Sequence, residues 1–297
     1  LSGKSLCTFY QRFNSESERI YAEIPAWKTD VPVKKEGTSL SGNIATLTAF
    51  DNPYFKRKDD IVIYLPPSYK TASTKYYPVL YMLDGQNIFD AATAHSTEWQ
   101  VDEILDRLAG QQQLDELIVV AVPNSAERWV EYNPWPFKNA KGELQQGKGD
   151  LSMQFIVKIL KPYMENHYRI NPSKTGLAGS SLGGLMALYA ALEYGDQFAY
   201  VAAFSPALDI QGINDRNVLF HALEQKKILS PIKIYMDIGK VEYGDFTRID
   251  ELKSVFIANG IKPEQLHLVK DEVGRHCELD WSRRFPAALR WLLSGGK

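Results

Sequence analysis

Cysteine is nearly absent: Cys7 and Cys277 are the two in 297 residues, too few and too far apart for a disulfide framework or a Cys-x-x-Cys metal knuckle. They read as two free thiols, with a single bridge as the alternative. Net charge is equally scarce, since 34 basic and 36 acidic residues leave −2, which gives no pull toward nucleic acid or an anionic membrane. No apolar run approaches the ~20 residues needed to span a bilayer, and no signal-type hydrophobic stretch opens the chain. A soluble protein without membrane insertion is expected, and a start at Leu1 is compatible with an exported protein whose signal was removed ahead of it. His-Glu-x-x-His, His-x-His and clustered Cys/His patterns are missing, so no metal or other cofactor is expected. Gly3-Lys4-Ser5 lacks the upstream glycine and strand of a phosphate-binding loop and reads as part of the terminus.

What the chain has is apolar matter in a regular order. At 44% hydrophobic and 12% aromatic, it can bury a substantial core. Residues 1–45 mix charge, Ser, Pro and Gly without periodicity and read as an arm or irregular layer packed on a main domain spanning 46–297. From there, apolar runs at Ile61–Leu65, Val79–Leu83, Leu117–Val122, Thr175–Ala178, Tyr200–Phe204, Ile232–Ile238 and Leu266–Val269 predict strands. Amphipathic stretches at Trp99–Leu108, Leu151–Tyr163, Leu182–Tyr194, Phe246–Ala258 and Leu279–Leu293 predict crossover helices, with Pro286 expected to break or kink the last. Continuous apolar strands alternating with helices imply an α/β fold, a mostly parallel sheet covered on both faces. Thr46–Phe50 and Ile61–Leu65, around Asn52-Pro53, predict an antiparallel hairpin that opens it. The Pro- and Gly-rich segment from Asn133 to Gly149 reads as an insertion over one end of the sheet.

Gly179-Ser180-Ser181-Leu182-Gly183 has the Gly-x-Ser-x-Gly form of a nucleophile elbow at a predicted strand-to-helix junction. The flanking positions must be small, which selects Ser181, flanked by Gly179 and Gly183, over Ser180, flanked by Ala178 and Leu182. A serine hydroxyl needs a base, and the base an orienting acid. His95 and His167 precede the nucleophile, His221 falls in a predicted helix and His267 inside a predicted strand. His276, in the loop after the last strand, is the expected base. The acid should follow the preceding strand: Glu242 is the first choice, Asp245 the runner-up, and Asp237, within the strand, the least attractive. The backbone N–H of Leu182 and that of Gln86, in Asp84-Gly85-Gln86-Asn87, are the expected oxyanion donors. Trp99, Trp135, Asn124 and Arg128 are candidates for a substrate pocket, although large aromatics are more often core, and Arg128 is at least as well explained by an ion pair with Glu127 or Glu131.

These stretches, with Val120–Tyr132, Ser205-Pro206, Gly239 with Glu242, and His276 with Trp281, resemble the esterase family that groups esterase D with enterochelin, feruloyl and acetylxylan esterases. The resemblance runs from about Thr46 to Leu293. It implies an α/β-hydrolase fold and a Ser181, Glu242, His276 triad. The expected activity is serine-dependent hydrolysis of a small-molecule or carbohydrate-linked carboxylic ester. Acyl transfer by the same triad, and a non-catalytic binding protein on the same fold, are the alternatives. Nothing in the pattern sets an oligomeric state.

Overall fold

The computed structural model describes residues 38–228 and 231–294. Most of the arm expected over 1–45 lies outside these residues. Thr38 and Ser39 bond to the Asp90 carboxylate at 2.9 and 3.1 Å, and the Ser41 N–H donates to Asp102 at 2.7 Å, so the chain enters along the main body.

Strands β1 (Asn43–Asn52) and β2 (Arg57–Leu65) form the antiparallel hairpin, and the 45/46 boundary falls inside β1. Then follow β3 (Tyr77–Leu83), α1 (Val101–Gly110), β4 (Ile118–Val122) and the short α2 (Arg128–Glu131). The expected insertion carries a small hairpin, β5 (Phe137–Lys138) and β6 (Leu144–Gln145). Its Lys138 N–H donates to Gln211 O at 2.7 Å, which fastens it to the loop after a later strand. A helical stretch comes next, α3 (Gly149–Phe155) and α4 (Lys161–His167) joined by a π-helical turn, before β7 (Ile170–Ser180) and α5 (Leu182–Glu193). The chain closes through β8 (Tyr200–Phe204), α6 (Val218–Gln225), β9 (Lys233–Gly239), the short α7 (Lys240–Tyr243), α8 (Thr247–Ala258), β10 (Leu266–Asp271) and α9 (Glu278–Leu293).

Eight strands pair in the order β1-β2-β4-β3-β7-β8-β9-β10, and all pairs from β4 to β10 are parallel. Successive side chains of a strand point to opposite faces. Thus Val79, Tyr81 and Leu83 join the core beneath α3–α5, α6 and α8, while Leu80 and Met82 join Trp99, Leu105, Phe285 and Leu289 beneath α1 and α9. Both faces are covered, and this is why the strands read as continuous apolar runs. Every parallel strand delivers its carboxyl end to the same edge, so the loops after β3, β7, β8, β9 and β10 share one rim.

Three sequence expectations need correction. The helix predicted from Trp99 begins at Val101, because Gln100 takes a left-handed conformation with φ 57° that a helix cannot include. Pro286 does not break α9. An interior proline costs about 3 kcal/mol, but Trp281 and Phe285 before it and Ala288, Leu289 and Leu292 after it are buried, so core packing holds both halves in one helix. For Cys277 the free-thiol reading gives way to its alternative, a bridge, since the residue is buried and disulfide-bonded. Cys7 lies outside the described residues.

Candidate active site

At the end of β7 the backbone turns directly into α5 through Ser181, whose φ of 57° and ψ of −120° are strained for a residue with a side chain. The turn is fixed from both sides. The Ser181 N–H donates to Phe204 O at 3.0 Å, and its carbonyl accepts from Leu185 and Ala207 at 3.0 and 2.9 Å. A Cβ on Gly179 would lie 2.6 Å from the Gly183 carbonyl, so glycine is the residue this turn admits there. Leu182 and Gly183 open α5, where N–H groups have no intrahelical acceptor, and Ser181 stands at their positive end.

His276 lies in the loop after β10, its side chain 17% exposed. Its ring meets the Trp281 ring edge-on at 5.0 Å, and its Nδ1 lies 2.9 Å from Glu242 Oε2. Glu242 sits in α7, the single turn after β9, and is almost wholly buried. Its other oxygen, Oε1, accepts from the Gly239 N–H at 2.8 Å and from the Ser205 hydroxyl at 2.7 Å. Ser205 immediately follows β8, whose Phe204 carbonyl holds Ser181, so bonded contacts run from the strained serine through β8 to Glu242 and His276.

The other two carboxylates are differently placed. Asp245 is exposed and accepts from the Thr247 N–H at 2.9 Å, at the start of α8. Asp237 is fully buried in β9, where desolvation pushes its carboxyl up to about 6 although Arg284 Nε donates to it at 2.9 Å.

On the opposite side of Ser181, β3 is followed by Asp84 in a left-handed conformation, and Gly85-Gln86-Asn87 form one tight turn. A Cβ on Gly85 would lie 2.7 Å from the Ala121 and Val122 backbones, so this turn packs directly on β4. Asn87 locks it from behind, donating to Glu278 at 3.1 Å and accepting from the His95 N–H at 2.9 Å. Burial raises the Glu278 carboxyl above its usual range.

Of the four pocket candidates, three are committed elsewhere. Trp99 is 1% exposed and stacks on Trp281 with centroids 5.7 Å apart, and its expected pocket role gives way to core packing. Arg128 pairs with neither Glu127 nor Glu131. It grips both oxygens of Asp84, reaches Ser180 O at 3.4 Å and lies over the Tyr132 ring, while Glu131 takes Arg57. Burial works against its charge, but the Asp84 carboxylate outweighs burial and holds the guanidinium protonated. Asn124 accepts from the Gln86 side chain at 2.6 Å and donates to Ser125 O at 2.8 Å. Trp135 is half-buried, edge-on to Tyr189 of α5 at 5.2 Å. The sequence reading missed the polar support: Asp84 for Arg128, and Arg284 beside Ser205 and Asp237. Asp84 stood in a loop already marked, but nothing local connects it to a residue 44 positions on.

A mostly parallel sheet with helices on both faces, an antiparallel hairpin at its start and a strained serine between strand and helix define an α/β-hydrolase fold. The chain belongs to the family described as "Putative esterase", whose model matches residues 52–292, and it is an ester hydrolase. It is 26% identical to YbbA of Bacillus subtilis over 247 residues, 77% of this chain and 90% of that protein. A ferulic acid esterase structure superposes with a TM-score of 0.63 at 18% identity, covering 85% of this chain and 98% of that one. The enterobactin esterase FES from Shigella flexneri gives 0.64 at 20% identity over 86% of this chain, which spans 60% of FES. No helix among the described residues is long and apolar enough to cross a membrane.

Proposed function

We propose that the protein hydrolyses carboxylic esters through an acyl-Ser181 intermediate, with residues 46–297 as the catalytic unit. The observation that carries this reading is the 2.9 Å contact between Glu242 Oε2 and His276 Nδ1. A carboxylate there favours the proton on Nδ1, the tautomer in which Nε2 is the nitrogen that can act as a base. Ser181 Oγ attacks the acyl carbon and passes its proton to His276. The tetrahedral intermediate carries its negative charge on the former carbonyl oxygen, where the N–H groups of Leu182 and Gln86 serve as donors. Removing one such donor typically costs about 3 kcal/mol of barrier. His276 then returns the proton to the departing alkoxide, and a water molecule repeats the sequence on the acyl-enzyme, giving acid and free Ser181.

The substrate is a small-molecule or carbohydrate-linked ester. The names of structural relatives point to feruloyl and siderophore-type esters as the first to try, because relatives of this fold include a ferulic acid esterase and an enterobactin esterase. The test is reaction with a fluorophosphonate followed by peptide mass spectrometry, alongside a panel of nitrophenyl esters, methyl ferulate, acetylated xylan and a catecholate siderophore. The expected result is a single adduct on Ser181 and no turnover by Ser181→Ala. An adduct on Ser180, or turnover by Ser181→Ala, would overturn the reading.

A further inference from the structure

Ser205 has no assigned part in the reaction, yet the hydrogen bonds around its hydroxyl leave it no freedom. A hydroxyl carries one proton and two lone pairs. Trp281 Nε1 lies 2.8 Å from Ser205 Oγ and Arg284 Nη2 lies 3.1 Å from it. Both are donors that cannot accept, so they occupy the two lone pairs. The third partner, 2.7 Å away, is Glu242 Oε1. The hydroxyl proton therefore has one place to go. The donors are themselves fixed: Arg284 is held by Asp237 and Asp271 at 2.9 and 3.0 Å, and Trp281 is stacked on Trp99. Ser205 is wholly buried, with its N–H 3.0 Å from Asp237 Oδ1 and its backbone in the left-handed region at φ 42°. A strained backbone, a buried hydroxyl and two one-way donors converge on one carboxylate oxygen.

We infer that Ser205 is a positioning residue for ester hydrolysis: its hydroxyl, oriented by Trp281 and Arg284, pins Glu242 Oε1 so that Oε2 alone faces His276 Nδ1. The inference rests on the proposed roles of Ser181, His276 and Glu242. Two donors on Oε1, Ser205 and the Gly239 N–H, draw charge toward that oxygen and stop the carboxylate from rotating about its terminal bond. Trp281 links both ends of the arrangement, since the ring that donates to Ser205 also meets the His276 imidazole.

Ser205→Ala tests this, with Ser205→Gly as a second variant because glycine accepts φ 42° without strain and also lacks the hydroxyl. Rates are normalised to the serine that a fluorophosphonate titrates, so misfolded protein does not count. The expected result for both variants is a fall in kcat of about 10- to 100-fold, the scale of a small misplacement of a catalytic group, with KM little changed. The acidic limb of kcat/KM should move to higher pH, because Oε2 then bears more of the charge and holds the imidazolium proton more tightly. Added to Glu242→Gln, Ser205→Ala should cost little more, as expected of residues acting through one another. Wild-type kcat and pH profile in both variants would overturn the inference, as would full additivity with Glu242→Gln. If His276→Ala turned over normally, the triad reading itself would fall.

Discussion

Arg128 holds both carboxylate oxygens of Asp84 directly behind the strand-to-helix turn that carries Ser181, and its Nη2 also reaches the Ser180 carbonyl. Three loops meet in this one ion pair: the turn after β3, the segment after β4 and the end of β7. Asp84 Oδ2 also lies 3.2 Å from where a Cβ on Gly183 would stand, which places the carboxylate against the first turn of α5. The pair is part of the frame on which the site is built.

Arg128→Ala is accordingly expected to act on the frame. Removing one partner of a largely buried pair leaves the other charge uncompensated, at a cost of roughly 3 kcal/mol. Denaturant unfolding should show this loss. Hydrolysis of a minimal acetate ester and of a bulky aromatic ester should fall together. A change in substrate preference at unchanged stability would put the guanidinium back in the pocket.

Trp99 makes a second case where packing decides. It lies between Phe204, Trp281 and Phe285 with ring centroids 5.0, 5.7 and 5.9 Å away. Trp99→Ala opens a cavity beside Trp281, and such truncations cost about 3–5 kcal/mol. Trp99→Phe should recover most of that stability. If Trp99→Ala were as stable as the parent and changed only KM, the ring would not be the core element its burial indicates.

An acid pair near the chain entry sets a pH dependence of stability. Burial, and then the neighbouring Asp102 carboxyl, push Glu103 up to about 7 from an ordinary value near 4.5. The folded state thus keeps a proton that the unfolded chain releases. Between about 4.5 and 7 the unfolded state binds fewer protons, so this contribution is present at low pH and is lost as pH rises through about 7. Glu103→Gln has nothing to lose there. Compared with the parent, it should gain stability in urea unfolding at pH 8 more than at pH 5, and an equal effect at both would show that Glu103 does not titrate in this range.

The parts of the molecule legible in the sequence are those set by near neighbours along the chain. Continuous runs such as Tyr200–Phe204 announce strands buried on both faces, and Gly179 and Gly183 mark the one serine that a tight strand-to-helix turn can hold. Chain order also places Glu242 and His276 after consecutive strands, and because β9 and β10 are paired and parallel their loops emerge side by side. What remained hidden depends on partners distant in sequence. Nothing near Trp99 announces Trp281, nothing near Arg128 selects Asp84 over the adjacent Glu127 and Glu131, and the support of Ser205 comes from α9. Pro286 shows the same override, since local propensity predicts a break and burial of both flanks prevents it.

The most direct prediction concerns the unit formed by Ser181 and His276. If the two act in one proton transfer, Ser181→Ala and His276→Ala should each lower kcat by several orders of magnitude, on the scale of ~10⁶ seen when either member of such a pair is removed. The double variant should be hardly worse, because the step each one serves is already lost. Glu242→Gln should cost less, about 10⁴, since the imidazole persists but its tautomer is no longer enforced. Asp245→Asn, at an exposed helix start, should cost almost nothing. Ser180→Ala should keep turning over, because its side chain is buried at the end of β7 and it is not the residue at the strained φ of 57°. Steady-state kinetics on a nitrophenyl ester decide these points together: additive losses for Ser181 and His276, or a greater loss for Asp245→Asn than for Glu242→Gln, would mean that the groups brought together at this rim do not work as one.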